Sequence, residues 1–155
     1  MSKDSASATP ERKQPTPDRF QFWTLEKLRN ADTDQFQHVN NAAIASFLES
    51  GRMELFASPA ISHLMEGLNV VVGRLNVEFH AEIFYPGELK IGSTVTRVGR
   101  TSFEVLQGVF RDGTCVASAT ASCVLLQAGK PHAVPDSVRQ HLLGGRNDPS
   151  TSDGV

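Results

Sequence analysis

The sequence predicts an α+β domain in which one long helix is covered by a curled antiparallel sheet. Three observations predict it. A helical period runs from about Val39 to Leu55, a strict two-residue alternation runs from Leu75 to Ile83, and two hairpin signals, Gly99-Arg100 and Asp112-Gly113, fold the later chain back on itself. The chain has 155 residues, 39% of them apolar, which suffices for one core of ordinary size. One domain is therefore expected, and any larger site would be shared between subunits.

Residues 1–18, with Pro10, Pro15 and Pro17, lack periodicity, and residues 144–155 are similar in character, so both ends are expected to be loose around a folded domain at 19–143. A first strand is expected across Phe20 to Arg29. In the helix, Ile44, Phe47, Leu48, Gly51 and Leu55 recur at steps of three and four, while Glu49, Ser50, Arg52 and Glu54 fall largely on other faces. Gly51 on the apolar side costs about 1 kcal/mol relative to Ala, which predicts close approach of another backbone there. Glu49 and Arg52, three apart, form an expected structural pair.

"SPAISHLMEGLN" predicts a short helix ending near Gly67. In the strand that follows, Leu75, Val77, Phe79, Ala81 and Ile83 alternate with Asn76, Glu78, His80 and Glu82, as in a strand with one wet face. Pro86-Gly87 turns the chain, and strands are expected at Leu89 to Val98, Thr101 to Arg111 and Thr114 to Gln127. In the last of these, Cys115, Ala117, Ala119, Ala121 and Cys123 place five small residues on one face, which would let a helix lie close. One helix cannot shield both faces and both edges of such a sheet, so dimerisation by edge pairing is expected.

The balance of 15 basic and 17 acidic residues, a formal charge of −2, offers no general attraction for nucleic acid or an anionic membrane, and neither is an expected partner. Cys115 and Cys123 on one strand would stand about 26 Å apart at about 3.3 Å per residue, beyond disulfide reach, which fits buried thiols in a reducing cytoplasm. From the polar start no signal peptide is expected, and no apolar run approaches about 20 residues, so a soluble cytoplasmic protein is expected. Five histidines and two distant cysteines give no zinc spacing, and Asp32-Thr33-Asp34 lacks the remaining ligands of a calcium loop. No nucleophile elbow, P-loop or dinucleotide fingerprint is present, and neither metal nor cofactor is expected.

The stretch "NADTDQFQHVNNAAIASFLESGRMEL" crowds carboxylates, a histidine and an Asn-Asn pair before the helix. Two readings stand. In the structural one, Asp32, Thr33 and Asp34 are turn residues, His38 is a surface histidine, and Asn40 or Asn41 caps the helix. In the functional one, free N–H donors and the positive end of the helix dipole polarise a carbonyl, and an adjacent Asp is general base or nucleophile toward it.

"ADTDQFQHVNNAAIASFLESGRMEL" resembles the D-T-D-x-x-G-H-V-N-N-A … E-x-x-R segment of the 4-hydroxybenzoyl-CoA thioesterase-like branch of the hotdog-fold acyl-CoA thioesterases. "LNVEFHAEIFYPGELKIGSTVTRVGRTSFEV" and "FRDGTCVASATASCVLL" resemble later regions of that family, so the resemblance covers about residues 20–127. It implies a long central helix wrapped by an antiparallel sheet, homodimers or dimers of dimers with sites at the subunit interface, and metal-free hydrolysis of an acyl-CoA or acyl-carrier-protein thioester. It further implies Asp34 as nucleophile or general base, with backbone amides of His38, Val39, Asn40 and Asn41 holding the thioester oxygen. His38 would orient the turn. For the coenzyme A phosphates, Arg100 with Ser102 is the first candidate, set against a solvated turn residue, and Arg74, Arg97 and Lys90 follow.

Two departures from the motif stand out. Gln37 replaces the usual Gly, which restricts the backbone near the thioester, and Ile44 replaces a frequent aromatic residue, which predicts an aliphatic pocket wall. A hydratase on the same fold would normally carry a D-x-N-P-x-H context, absent here. A non-catalytic acyl-thioester binding module is the alternative of a different class, with Gln37 as its sequence support.

Overall fold

In the computed structural model, residues 13–144 are described. In chain order they form a 3₁₀ turn at Pro17–Arg19, β1 (Phe22–Lys27), a 3₁₀ turn at Asn30–Asp32, α1 (Asn41–Ala57), α2 (Pro59–Ser62) continued by 3₁₀ turn His63–Met65, β2 (Asn69–Phe79), β3 (Glu88–Val98), β4 (Ser102–Arg111), β5 (Thr114–Gln127), β6 (Lys130–Pro131) and α3 (Asp136–Gly144). The sheet is antiparallel in the order β1-β3-β4-β5-β2, with β6 paired to the end of β5. Apart from Pro17–Arg19, the expected loose ends fall largely outside the described residues.

The inward face of α1 follows its period: Ile44, Phe47, Leu48, Gly51 and Leu55 are buried against the sheet. Arg52 is buried with them, contrary to the expected outer position and Glu49 pairing. Its Nη1 donates to Gln107 Oε1 at 2.9 Å, while Gln107 Nε2 donates to Leu48 O and Ser93 Oγ, each at 2.9 Å. Sequence spacing sets a residue's angle around the helix, but Arg52 reaches a polar partner on β4 that only the fold supplies. Burial pushes its guanidinium down from its ordinary value, with Cys123 and Glu49 acting the other way. Gly51 is needed for close approach, but to side chains rather than a backbone: a Cβ there would lie 3.0 Å from Ile91 Cγ2 and 3.1 Å from Gln107 Nε2.

Three other expectations shift. The first strand is shorter, because Phe20 leaves the sheet plane and packs on the outer face at Gly92 and Gly108, where an added Cβ would come within 3 Å of its ring. β2 runs from Asn69 to Phe79 rather than Leu75 to Ile83. Its pairing with β5 extends upstream past an irregularity at Gly73, and beyond Phe79 the amides of His80 and Ala81 both donate to Val116 O, turning the chain out of the sheet. Finally, the register of β5 against β4 slips between Val109 and Phe110, so Val116 is the extra residue. Ala117, Ala119, Ala121 and Cys123 keep the inner face, while Cys115 turns to the outer face with Phe20 and Phe110. Both thiols are free and buried, and burial pushes both up.

The short α3 was not evident in the sequence pattern assigned to this region. Val138 and Leu142, four apart, enter the core beside Leu55 and Ile61, and Arg139 donates to Val98 O and Gly99 O at the β3–β4 turn. No helix among the described residues is long and apolar enough to cross a membrane.

Candidate active site

The segment leading into α1 is held at both ends. Asp32 is buried, and its carboxylate accepts from Arg29 N at 2.7 Å and Arg29 Nη2 at 2.8 Å. The hydrogen bond from the Arg29 side chain holds this carboxyl below the usual carboxylate range. The Asp32 carbonyl accepts from Asn40 N at 2.7 Å, and Thr33 and Val39 form a two-residue bridge, so the chain between them is a closed loop.

At the tip, Asp34 N donates to His38 O at 2.8 Å and Gln37 N to Asp34 O at 3.0 Å. Gln37, at the position of the motif glycine, takes φ +65°, the left-handed conformation that glycine adopts freely. The turn is thus preserved despite the side chain. Asp34 Oδ1 accepts from the amides of Phe36 at 2.8 Å and His38 at 3.1 Å. Its Oδ2 has no hydrogen-bond partner among the described residues. The carboxylate combines both readings of the sequence: one oxygen builds the turn, the other is available.

Asn40 is the N-cap of α1, its side-chain oxygen accepting from Ala42 N at 2.9 Å. Of the four amides expected to hold a thioester oxygen, three are engaged: His38 N on Asp34, Val39 N on Ile83 O at 2.7 Å, and Asn40 N on Asp32 O. The Asn41 amide, at the first helical position, has no partner among the described residues. It is also where the helix dipole concentrates positive charge. A cleft of about 430 Å³ opens here, with Asp34, His38, Asn41 and Ile44 on one side and Phe79–Ile83 on the other.

His38 does not face the Asp34 carboxylate with its ring. Its Nε2 lies 3.7 Å from Glu82 Oε1, and its ring meets Phe84 edge to face at 4.9 Å. That arrangement fits orientation of the loop. The loop of Phe84 to Pro86 is in turn clasped by Arg111, which donates to Phe84 O and Pro86 O. Neither Arg111 nor the wall Phe79–Ile83 carried a sequence signal for the site, because both arrive by strand pairing.

Arg100 and Ser102 do not join Asp34 within one subunit. The β3–β4 turn sits beside α3 and the C-terminal end of α1, where Phe56 packs on Phe103, so the 17-residue helix, about 25 Å long, separates it from Asp34. Arg74, Arg97 and Lys90 are exposed strand residues that do not line the cleft. Among the described residues no three His, Cys, Asp or Glu side chains gather as a metal site would need.

A long helix wrapped by an antiparallel sheet is the hotdog fold of thioesterase proteins. The model of the thioesterase-like superfamily matches residues 28–142, and the chain belongs to that superfamily. A Thermus thermophilus thioesterase solved with coenzyme A and zinc is 28% identical, with TM-score 0.75 over 84% of this chain and 98% of that one. A predicted thioesterase from Bacillus stearothermophilus is 25% identical, with TM-score 0.72 over 80% and 95%. The DHNA-CoA thioesterase of Staphylococcus aureus, 17% identical with TM-score 0.70 over 86% and 96%, shares the fold. No curated protein matches the chain.

Proposed function

We propose that this protein is an acyl-CoA thioesterase that hydrolyses its substrate to the free acid and coenzyme A at Asp34. The observation that carries this is the presence of an open carboxylate oxygen on Asp34 and an uncommitted amide on Asn41 along the same wall of one cleft. The thioester oxygen accepts from Asn41 N, which stabilises the negative charge that develops on it. Asp34 Oδ2 then either adds to the carbonyl carbon, expelling the thiolate and leaving an anhydride that water cleaves, or takes a proton from water as the hydroxide adds. A single turnover in oxygen-18 water reads the difference: label in the Asp34 carboxylate requires direct attack with water opening the anhydride at the Asp34 carbon, whereas base catalysis places label in the acid alone.

Membership of the superfamily supports the reaction class, and the likeness to a structure containing coenzyme A supports the carrier. A homodimer formed through the edge of β2 fits the chain, because Val71, Val72 and Phe79 are exposed along that edge. A role for Arg100 in holding coenzyme A phosphates would then come from the second subunit. The turn remains closed with Gln37 in the glycine position, which supports the catalytic reading over a binding module.

The test is thiol release from matched acyl-CoA and acyl-carrier-protein thioesters. Release from acyl-CoA at a higher kcat/KM supports the proposal; release from the carrier-protein form alone moves the substrate, and release from neither contradicts hydrolysis.

A further inference from the structure

We propose that Arg111 is a positioning residue for the reaction: through two backbone carbonyls it fixes the loop between β2 and β3 against the Asp34 turn. The proposal deepens the thioesterase reading and rests on it. Residues 80–87 join the two strands and are anchored at both ends, since His80 N and Ala81 N donate to Val116 O and Gly87 O accepts from Leu28 N at 2.9 Å. Between those anchors Ile83 is 4% exposed and packs in the core, whereas Phe84 and Tyr85 are 47% and 45% exposed. Arg111, the last residue of β4, spans this exposed part: Nη1 donates to Phe84 O, and Nη2 donates to Pro86 O at 2.6 Å. Gly87 leaves room for the guanidinium, because a Cβ there would lie 2.5 Å from Nη2.

The same loop is what the Asp34 turn rests against. Val39 N donates to Ile83 O at 2.7 Å, His38 pairs with Phe84 in an isolated antiparallel bridge, and the rings of His38 and Phe84 meet at 4.9 Å. The His38 amide in turn donates to Asp34 Oδ1 at 3.1 Å. A line of contacts therefore runs from the guanidinium through Phe84 and His38 to the carboxylate. Core packing fixes Ile83, and Arg111 holds the backbone beyond it, where Phe84 has no burial of its own to keep it in place. A planar guanidinium serves two carbonyls at once, which the point charge of a lysine does not match. Loss of the clasp frees Phe84 and lets the carboxylate drift, and a misplacement of about 1 Å can cost about a hundredfold in rate.

The experiment measures kcat, KM and thermal melting of wild type, Arg111→Ala and Arg111→Lys on one acyl-CoA, with amide hydrogen exchange at Val39 as a readout that needs no turnover. In Arg111→Ala, kcat should fall about ten- to a hundredfold while KM stays within about twofold, and Arg111→Lys should lose less. Methylguanidinium at millimolar concentration should restore part of the lost kcat to Arg111→Ala and none to Arg111→Lys, whose side chain fills the seat. Exchange at Val39 should quicken about tenfold in Arg111→Ala, because the bridge to Ile83 and Phe84 opens more often. An unchanged kcat, a lowered kcat with Val39 exchange as in wild type, or a failure of methylguanidinium to rescue would overturn the proposal and leave the thioesterase reading intact. A raised KM with kcat intact would make Arg111 a contact for coenzyme A, and unfolding of both variants would make it a prop of the whole domain; either result also overturns it. No thiol release by wild type would overturn both readings.

Discussion

Gln37 holds the left-handed corner of the turn between Asp34 and His38, where an L side chain costs roughly 1 kcal/mol against glycine. The turn exists because Asp34 Oδ1 gathers the Phe36 and His38 amides, so the carboxylate stabilises the loop that presents it. Gln37→Gly should therefore raise stability by up to about 1 kcal/mol, less what the freer unfolded chain takes back, and retain thiol release. Thermal unfolding and turnover check this together. The acidic cluster and the Asn-Asn pair were legible in the sequence, while Asp34 was singled out from them only by the family resemblance. Which amides remain free was not legible, because Val39 N is taken by Ile83 and Asn40 N by Asp32, and hydrogen bonds between loops leave no trace in spacing.

At the scale of elements, α1 and β5 lie close to where periodicity placed them, and β5 spans Thr114 to Gln127 as expected. β2 was misplaced because "NVVV" is a continuous apolar run whose pairing with β5 outweighs the alternation downstream. α3 escaped because its two buried residues, Val138 and Leu142, are too few to mark a period. The entry to α1 depends on Asp32, whose carboxyl is held below its ordinary range chiefly by the hydrogen bond from Arg29. A carboxyl with a lowered folded pKa adds stability that is present above its unfolded pKa, about 3.9, and disappears as pH falls through the folded value. Wild type should therefore unfold at a higher temperature than Asp32→Asn near neutrality, and the gap should narrow on acidification below about pH 4. Melting curves across that range measure it.

Across the whole molecule, the two faces of the sheet are treated differently. The inner face is covered by α1 and closed at one end by α3, while the outer face is covered in part by the chain's own Pro17–Phe20 segment. Phe20 fills the place that the facing glycines 92 and 108 leave, and stacks edge on with Trp23 and Phe110 at 5.7 Å. Phe20→Ala should cost about 3–5 kcal/mol, read as a lower denaturant midpoint, since it opens a cavity lined by backbone that cannot collapse. The slot could not be read from sequence, because Gly92 and Gly108 become neighbours only through the register of β3 on β4.

The central claim is a division of labour between two carboxylates two residues apart: Asp32 holds the loop and Asp34 acts on the thioester. Thiol release and thermal melting of Asp34→Asn and Asp32→Asn, measured beside wild type on the acyl-CoA that wild type cleaves fastest, test it directly. The account predicts that Asp34→Asn stays folded and loses about a thousandfold in kcat, whereas Asp32→Asn melts earlier and keeps turnover in proportion to its folded fraction. Full activity in a folded Asp34→Asn protein would contradict it.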